Sequence, residues 1–287
     1  MVHLNLTKYQ LESILFNPGI IMIRIEHDIH LHTTLSECCS SATQTPGNII
    51  SEGRRLGLKV IGFADHIWCN PEVKPISFYQ SQDERQISTL RRQLAALEIP
   101  DDIKVLVGCE AEMSAPGCYG ITPEFAETLD FVLLSTDHFH FRDFVEQPAE
   151  RTPRGLARHM IKMFVAGASC GLASSLSHPM YPYGFFEIYE AAMNELCDQE
   201  LTDAFGVAAE HGVGLEISGN YLPNPQRAMN FPVEIPLRII ELAKRAGCRF
   251  TFGSDAHSLE QMTRIKDLDF LVSTLDLTAD DILVIGQ

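Results

Sequence analysis

Basic residues are in short supply in this chain: 22 Lys and Arg stand against 38 Asp and Glu, for a formal net charge of −16. Such an acidic protein repels polyanions at long range, which argues against a nucleic-acid-coating function and makes nucleic acid an unexpected partner. A small phosphorylated substrate remains open, because bound cations invert the charge locally. No apolar run approaches the length that crosses a bilayer, so no membrane partner is expected. The opening segment MVHLNLTKYQLESILFNPGIIM lacks a basic start, a long apolar run and a small-residue cleavage site, and is not read as a signal peptide. Eight cysteines are present, at 38, 39, 69, 109, 118, 170, 197 and 248, but they form no CxxC and no dense framework. Free thiols in a reducing cytoplasm are therefore expected. Low-complexity stretches and repeats of fixed period are also lacking.

What is there is an ordinary globular composition, 45% apolar and 21% charged over 287 residues, enough for a sizeable core. Residues 1–22 read as an amphipathic lead-in broken at Asn17-Pro18-Gly19, with Met22 as an alternative start. Residues 23–287 read as one domain. Seven apolar-rich runs recur, each leading into polar residues: IRIEHDIHLH (23–32), KVIGFADH (59–66), IKVLVGCEAEM (103–113), DFVLLSTDHF (130–139), GLASSLSHP (171–179), GVGLEISGN (212–220) and CRFTFGSDAH (248–257). They read as strands of a buried parallel sheet. Between them lie helix signals. Thr45-Pro46, Thr122-Pro123 and Thr152-Pro153 pair an N-cap with proline at the first helical position. Ser81 to Glu98 places Ile87, Leu90, Leu94 and Leu97 on one face. Phe186 to His211 reads as one or two helices meeting near Leu201-Thr202, and Glu234 to Ala246 stops at Gly247. Seven strand–helix units predict an α/β fold, a distorted (β/α)7 barrel, with reactive residues at the C-terminal ends of the strands.

The titratable residues do gather there. His30 and His32 end the first run, Asp65-His66 the second, Glu110 and Glu112 the third, Asp137-His138 the fourth, His178 the fifth, Glu216 the sixth, and Asp255 with His257 the seventh. Six of the eleven histidines fall at these ends. In His30-x-His32 and Asp255-x-His257 the spacing of two puts both side chains on one face of a strand, able to bite one ion. Taken alone, one HxH is an ordinary polar strand face and one buried histidine an ordinary hydrogen-bonded core residue. Together these residues cannot share a cavity cheaply without metals. His30, His32, His66, Glu110, His138, His178, Asp255 and His257 exceed the roughly three protein ligands of one catalytic ion, so two or three divalent ions, zinc, manganese or iron, are expected. Metals about 3.5–4 Å apart suit phosphate-ester hydrolysis.

The motifs DIHLHTTLS, GFADH, GCE, STDHF, SHP and GSDAH, in this order between residues 26 and 257, resemble those of the PHP (polymerase and histidinol phosphatase) superfamily. The resemblance implies a distorted (β/α)7 barrel with a two- or three-metal centre at its mouth. It implies one ion held by His30, His32, Glu110 and Asp255, and a second sharing Glu110 with His138 and His178. A third would take His66, His257 and one ligand from the segment after the HxH, where relatives place Asp or His. Here that segment offers Glu37, a longer equivalent of Asp, or Cys38, a soft donor favouring zinc or iron. The nearby residues read more plainly. Asp28, Asp65, Asp137 and Glu216 are expected to support ligands or the backbone and Glu112 to lie on the rim. His27 and His140 are read as non-ligands, and His3, His159 and His211 as surface residues. Arg142 and Arg154 are the candidates to grip phosphate, although a surface arginine is the commoner reading of each.

The expected chemistry is hydrolysis of a phosphate ester of a small metabolite, histidinol phosphate or a nucleotide-like compound, by a metal-activated hydroxide. A nuclease or proofreading domain of the same superfamily and a non-catalytic metal-binding relative are the alternatives. An amidohydrolase-type barrel stands further back, because that plan calls for a lysine at a middle strand end. Oligomeric state is not readable.

Overall fold

The computed structural model of the protein describes residues 23–223 and 230–286, so the lead-in at 1–22 lies outside the described residues. The helix signals become helices for the reasons that made them legible. Thr45 and Thr152 each accept a backbone N–H through the side chain, from Asn48 and Gly155, with Pro46 and Pro153 opening helices Pro46–Arg55 and Pro153–Ala168. Thr122-Pro123 starts only the short helix Pro123–Ala126. The segment Ser81 to Glu98 gives Glu84–Ala95, capped by Asp83, with Ile87, Leu90 and Leu94 buried. Leu97 lies past its end and is 38% exposed, so the apolar face is one residue shorter than expected. The long stretch does split, but at Leu196-Cys197 rather than 201–202: Tyr189–Glu195 is followed by Asp198–Glu210, whose first turn is fixed by Glu200 accepting the Cys197 N–H. Glu234–Arg245 closes the series, with Gly247 in the left-handed region at φ +89°.

The seven runs all form strands, and two of them are broken. In chain order they are β1 (His27–Leu31), β2 (Val60–Phe63) continued by β3 (His66–Ile67), β4 (Lys104–Val107) continued by β5 (Cys109–Ala115), β7 (Val132–Ser135), β8 (Ser175–Leu176), β9 (Gly214–Ser218) and β10 (Phe250–Gly253). A short β6 (Cys118–Tyr119) folds back antiparallel on β5. Every other pairing is parallel. The breaks divide the pairing into β1-β2-β4 and β10-β9-β8-β7-β5-β3. Gly108 N–H to Phe63 O at 3.0 Å and Glu110 N–H to Asp65 O at 3.0 Å carry hydrogen bonding across them.

Order and direction are those of the expected seven-stranded barrel. Continuous closure differs, because the first and last runs meet at a single bridge, Leu31 with Ala256. Side chains complete that seam. The Phe252 N–H donates to His27 Nε2 at 2.9 Å, and the Ser254 N–H donates to Asp28 Oδ1 at 3.1 Å. The apolar core lies between the sheet and its helices, with Phe63, Leu134, Leu156, Phe164, Phe205 and Phe252 among its fully buried members. No described helix is long and apolar enough to cross a membrane.

Candidate metal centre

The strand ends converge on the Glu110 carboxylate. Its Oε2 lies 3.3 Å from His30 Nε2, 3.5 Å from His32 Nε2 and 3.1 Å from His66 Nδ1. Its Oε1 lies 3.0 Å from His178 Nε2 and 3.9 Å from His138 Nε2. Asp255 approaches from the last run, with Oδ1 3.2 Å from His32 Nε2 and 3.5 Å from His30 Nε2. The His257 ring stacks on His32 at 4.3 Å between centroids, and its Nε2 is 3.0 Å from Cys38 Sγ. Three donor groups around Glu110 and Asp255 are compact enough to share an ion: His30 with His32 and Glu110, His30 with His178 and Asp255, and Glu110 with His138 and His178. A fourth is His32, Cys38, His66 and His257. All eight strand-end residues and Cys38 are thus brought together. The exposed Glu37 is not: it stands outside all four groups, with its backbone N–H on Gln82 Oε1.

The outward nitrogens are fixed one by one. His30 Nδ1 is 2.8 Å from Glu216 Oε1, His138 Nδ1 2.8 Å from Glu112 Oε2, and His178 Nδ1 3.0 Å from Asp137 Oδ1. His32 Nδ1 reaches Ser36 Oγ at 3.1 Å, and His257 Nδ1 the Asp255 carbonyl at 3.0 Å. An acceptor on Nδ1 places the proton there and turns the Nε2 lone pair inward, the arrangement that orients imidazole toward a cation. His66 is turned the other way. Its buried Nδ1 faces Glu110 but is not aligned for a hydrogen bond and has no other partner.

Two placements differ from expectation, those of Glu112 and His159. Glu112 is 1% exposed, behind His138 and under the Tyr79 hydroxyl, which donates to it at 2.8 Å; it is no rim residue, because β5 continues past it to Ala115. His159 is buried, not superficial: it shares the inner stripe of its helix with Leu156, Met160 and Met163, and its Nε2 is 2.8 Å from the Glu146 carbonyl. Asp28 takes the second of its two expected roles, supporting the backbone: its Oδ1 accepts the backbone N–H groups of His30 and Ser254. Asp65 likewise has a structural role, tying down the loop after β1 through Thr33 and Ser36. Arg154 is engaged elsewhere, donating to the Glu195 carbonyl at 2.6 Å beside Glu200. Arg142 is exposed in the turn after β7 and does not line the cavity described below.

Asn220 and Tyr183 add a support for Asp255 that the ligand motifs do not include. The Asn220 amide and Tyr183 hydroxyl hold Asp255 Oδ2 at 2.5 and 3.3 Å. The position of Asn220 at the tail of GVGLEISGN was the available signal. The backbone is strained where the ligand candidates sit: His178 and Asp255 have φ of +31° and +52°.

Charge in this cluster is balanced by protons. Burial alone would lower the His30 imidazole, but Glu216, Glu110 and Asp255 outweigh it and hold its pKa well above the ordinary value. Burial alone would raise the Glu110 and Asp255 carboxyls, yet their imidazole neighbours, His30 foremost, keep both well below the carboxylate range. Burial and nearby carboxylates push the Cys38 thiol up, and burial takes His257 down to about 4. A divalent cation would supply the positive charge that the carboxylates otherwise draw onto His30, His138 and His178 as protons, and would favour thiolate at Cys38.

Above the cluster opens a cavity of about 350 Å³. Cys38, His66, Glu110, His138, Asp255 and His257 form its floor, and Phe78, Phe141, Tyr183 and Phe186 rise beside them.

Parallel α/β strands ending in buttressed histidines around a shared carboxylate define a site built to hold cations. The PHP domain model matches residues 28–220, and the chain belongs to that family. Two Aliivibrio fischeri proteins, both called probable phosphatase, are 24% identical to it. The match to the strain MJ11 protein covers 91% of this chain and 89% of that one; for strain ATCC 700601 / ES114 the shares are 89% and 88%. Among solved structures, the histidinol phosphate phosphatase of Lactococcus lactis subsp. lactis Il1403, complexed with zinc, L-histidinol and phosphate, superposes with a TM-score of 0.58 at 18% identity. That superposition covers 87% of this chain and 93% of the other.

Proposed function

We propose that this chain is a metal-dependent phosphoric monoester hydrolase acting on a small phosphorylated metabolite. The observation that carries the reading is the ring of inward-turned ring nitrogens around Glu110, including the buried His66 Nδ1, which faces that carboxylate without a hydrogen bond. Such a donor set fits divalent cations of the zinc, manganese or iron type. In this reading His30, His32, Glu110 and Asp255 hold one ion, and Glu110 with His138 and His178 a second. His66, His257 and Cys38 hold a third, with Cys38 favoured over Glu37 by its 3.0 Å approach to His257. Ions held there supply Lewis-acid polarisation of phosphoryl oxygens and make water more acidic.

The remaining work belongs to the chain. Glu216, Glu112 and Asp137 keep His30, His138 and His178 in the tautomer that turns Nε2 toward Glu110. Glu216 also accepts the His178 backbone N–H at 2.7 Å, fixing two strand ends with one side chain. Asn220 and Tyr183 restrain the outer oxygen of Asp255, leaving Oδ1 toward His30 and His32. The cavity of about 350 Å³ and the net charge of −16 favour a small ester over a polymeric one. The names of the two Aliivibrio proteins and the ligands of the Lactococcus enzyme support the same class.

The test is elemental analysis of the purified protein, followed by phosphate-release assays on monoesters, diesters and single-stranded DNA with Mn²⁺ or Zn²⁺. Monoester hydrolysis is expected, and His30→Ala or Asp255→Asn should lower kcat/KM by about a hundredfold or more. Metal-loaded protein that hydrolyses no ester, or variants with wild-type turnover, would sink the proposal.

A further inference from the structure

From the wall of the cavity we infer the leaving group: an uncharged alcohol carrying an aromatic ring or an apolar group of similar size. This rests on the phosphatase reading above and concerns only which monoester is taken. The wall is a continuous belt of rings that starts at the metal centre. Phe78 lies 5.3 Å from His66 between centroids and 5.0 Å from Phe141. Phe141 lies 4.0 Å from His140, and His140 5.6 Å from Tyr183. Tyr183 lies 5.1 Å from His138 and 5.6 Å from Phe186. Phe78, Phe141, Tyr183 and Phe186 are all only partly buried, so each keeps apolar surface available at the mouth. Half-buried rings collected around one opening mark a surface meant to be covered; the large apolar residues exposed among the described residues, Leu97, Ile99 and Val284, do not line it.

What the wall lacks decides the charge of the occupant. Among the described lining residues there is no Lys or Arg, and the carboxylates are Glu110 and Asp255, both on the floor. A second anionic group on the leaving alcohol would meet no Lys or Arg among the described residues of the wall. An ammonium group would meet ring faces, whose attraction for a cation is real but modest. It would still bring three N–H donors to a wall that offers no side-chain carboxylate outside the cluster. A neutral ring loses no strong hydration on entering and gains the full contact with Phe78, Phe141, Tyr183 and Phe186. The reaction balances without further components: water adds to phosphorus, the P–O bond to the alcohol breaks, and the alcohol leaves with a proton as inorganic phosphate forms.

The experiment compares alkyl monoesters, so that no substrate has the activated leaving group of a phenol: 2-phenylethyl phosphate, ethyl phosphate, 2-aminoethyl phosphate, histidinol phosphate and glycerol 3-phosphate, on metal-loaded wild-type protein. The expected kcat/KM for 2-phenylethyl phosphate exceeds that for each of the others by about tenfold or more. In Phe141→Leu, which keeps most of the volume, and in Phe141→Ala, its ratio to ethyl phosphate should fall toward one, mainly through KM. Hydrolysis of several esters with no such preference, or with histidinol phosphate or 2-aminoethyl phosphate preferred, overturns this inference and leaves the phosphatase reading intact. Hydrolysis of none overturns that reading itself.

Discussion

At the scale of single residues, the centre depends on acids that never face the cavity. Glu112 illustrates this: buried between the Tyr79 hydroxyl and His138 Nδ1, it fixes the direction of one ring. Glu112→Gln keeps the shape but weakens that hold. We expect activity to fall about 10- to 100-fold, with metal affinity reduced and thermal stability little changed, checked by kinetics beside metal titration. Wild-type metal affinity and turnover would show that His138 is oriented without Glu112. The ligand candidates themselves were legible because each stands at the end of an apolar run. Glu112 was not: period-two alternation gives the face a side chain points to, but how far a strand runs on, and what covers its end, depend on Tyr79 from a distant turn. His159 was misread although its signal was present, since Leu156, His159, Met160 and Met163 follow helical spacing.

At the scale of elements, strand pairing brings groups so close that one methyl matters. Gly253 ends β10 against the His30–Glu216 pair. A Cβ there would overlap Glu216 Oε1 and lie 2.6 Å from the His30 Cβ. Gly253→Ala is therefore expected to cost about 1–3 kcal/mol in unfolding free energy and to weaken metal binding, measurable by denaturant unfolding and calorimetric titration. His27 carries a pH dependence of the seam. Burial lowers its pKa from the ordinary 6.5 to about 4, and its Nε2 must stay unprotonated to accept the Phe252 N–H. Because the folded value is the lower one, its contribution is complete above pH 6.5 and is lost as pH falls toward 4. His27→Gln should flatten the stability curve in that window, and an unchanged slope would assign it to other groups. The seven runs and most helix starts were readable from apolar periodicity and Thr-Pro caps. The strand breaks were not, because Gly108 is set by the Phe131 ring, which a Cβ would meet at 2.6 Å.

At the scale of the whole molecule, the cluster concentrates buried carboxylates in a chain already carrying −16. Cation loss should therefore be felt globally. Dialysis against a chelator is expected to lower Tm by roughly 5 °C or more, with recovery on adding Zn²⁺ or Mn²⁺, followed by calorimetry. A Tm indifferent to chelation in a protein shown to bind metal would mean that the fold does not draw on the site. The seam gives this linkage a location. His30 and His32 belong to the first run and Asp255 and His257 to the last, and these runs share one bridge, Leu31 with Ala256. Ions held in the proposed way clasp that joint, cross-linking positions more than two hundred residues apart in the chain. With the clasp removed, amide hydrogens around 27–32 and 250–257 should be among the first to exchange, so that the state of the metal centre is written into the mobility of the barrel's two ends.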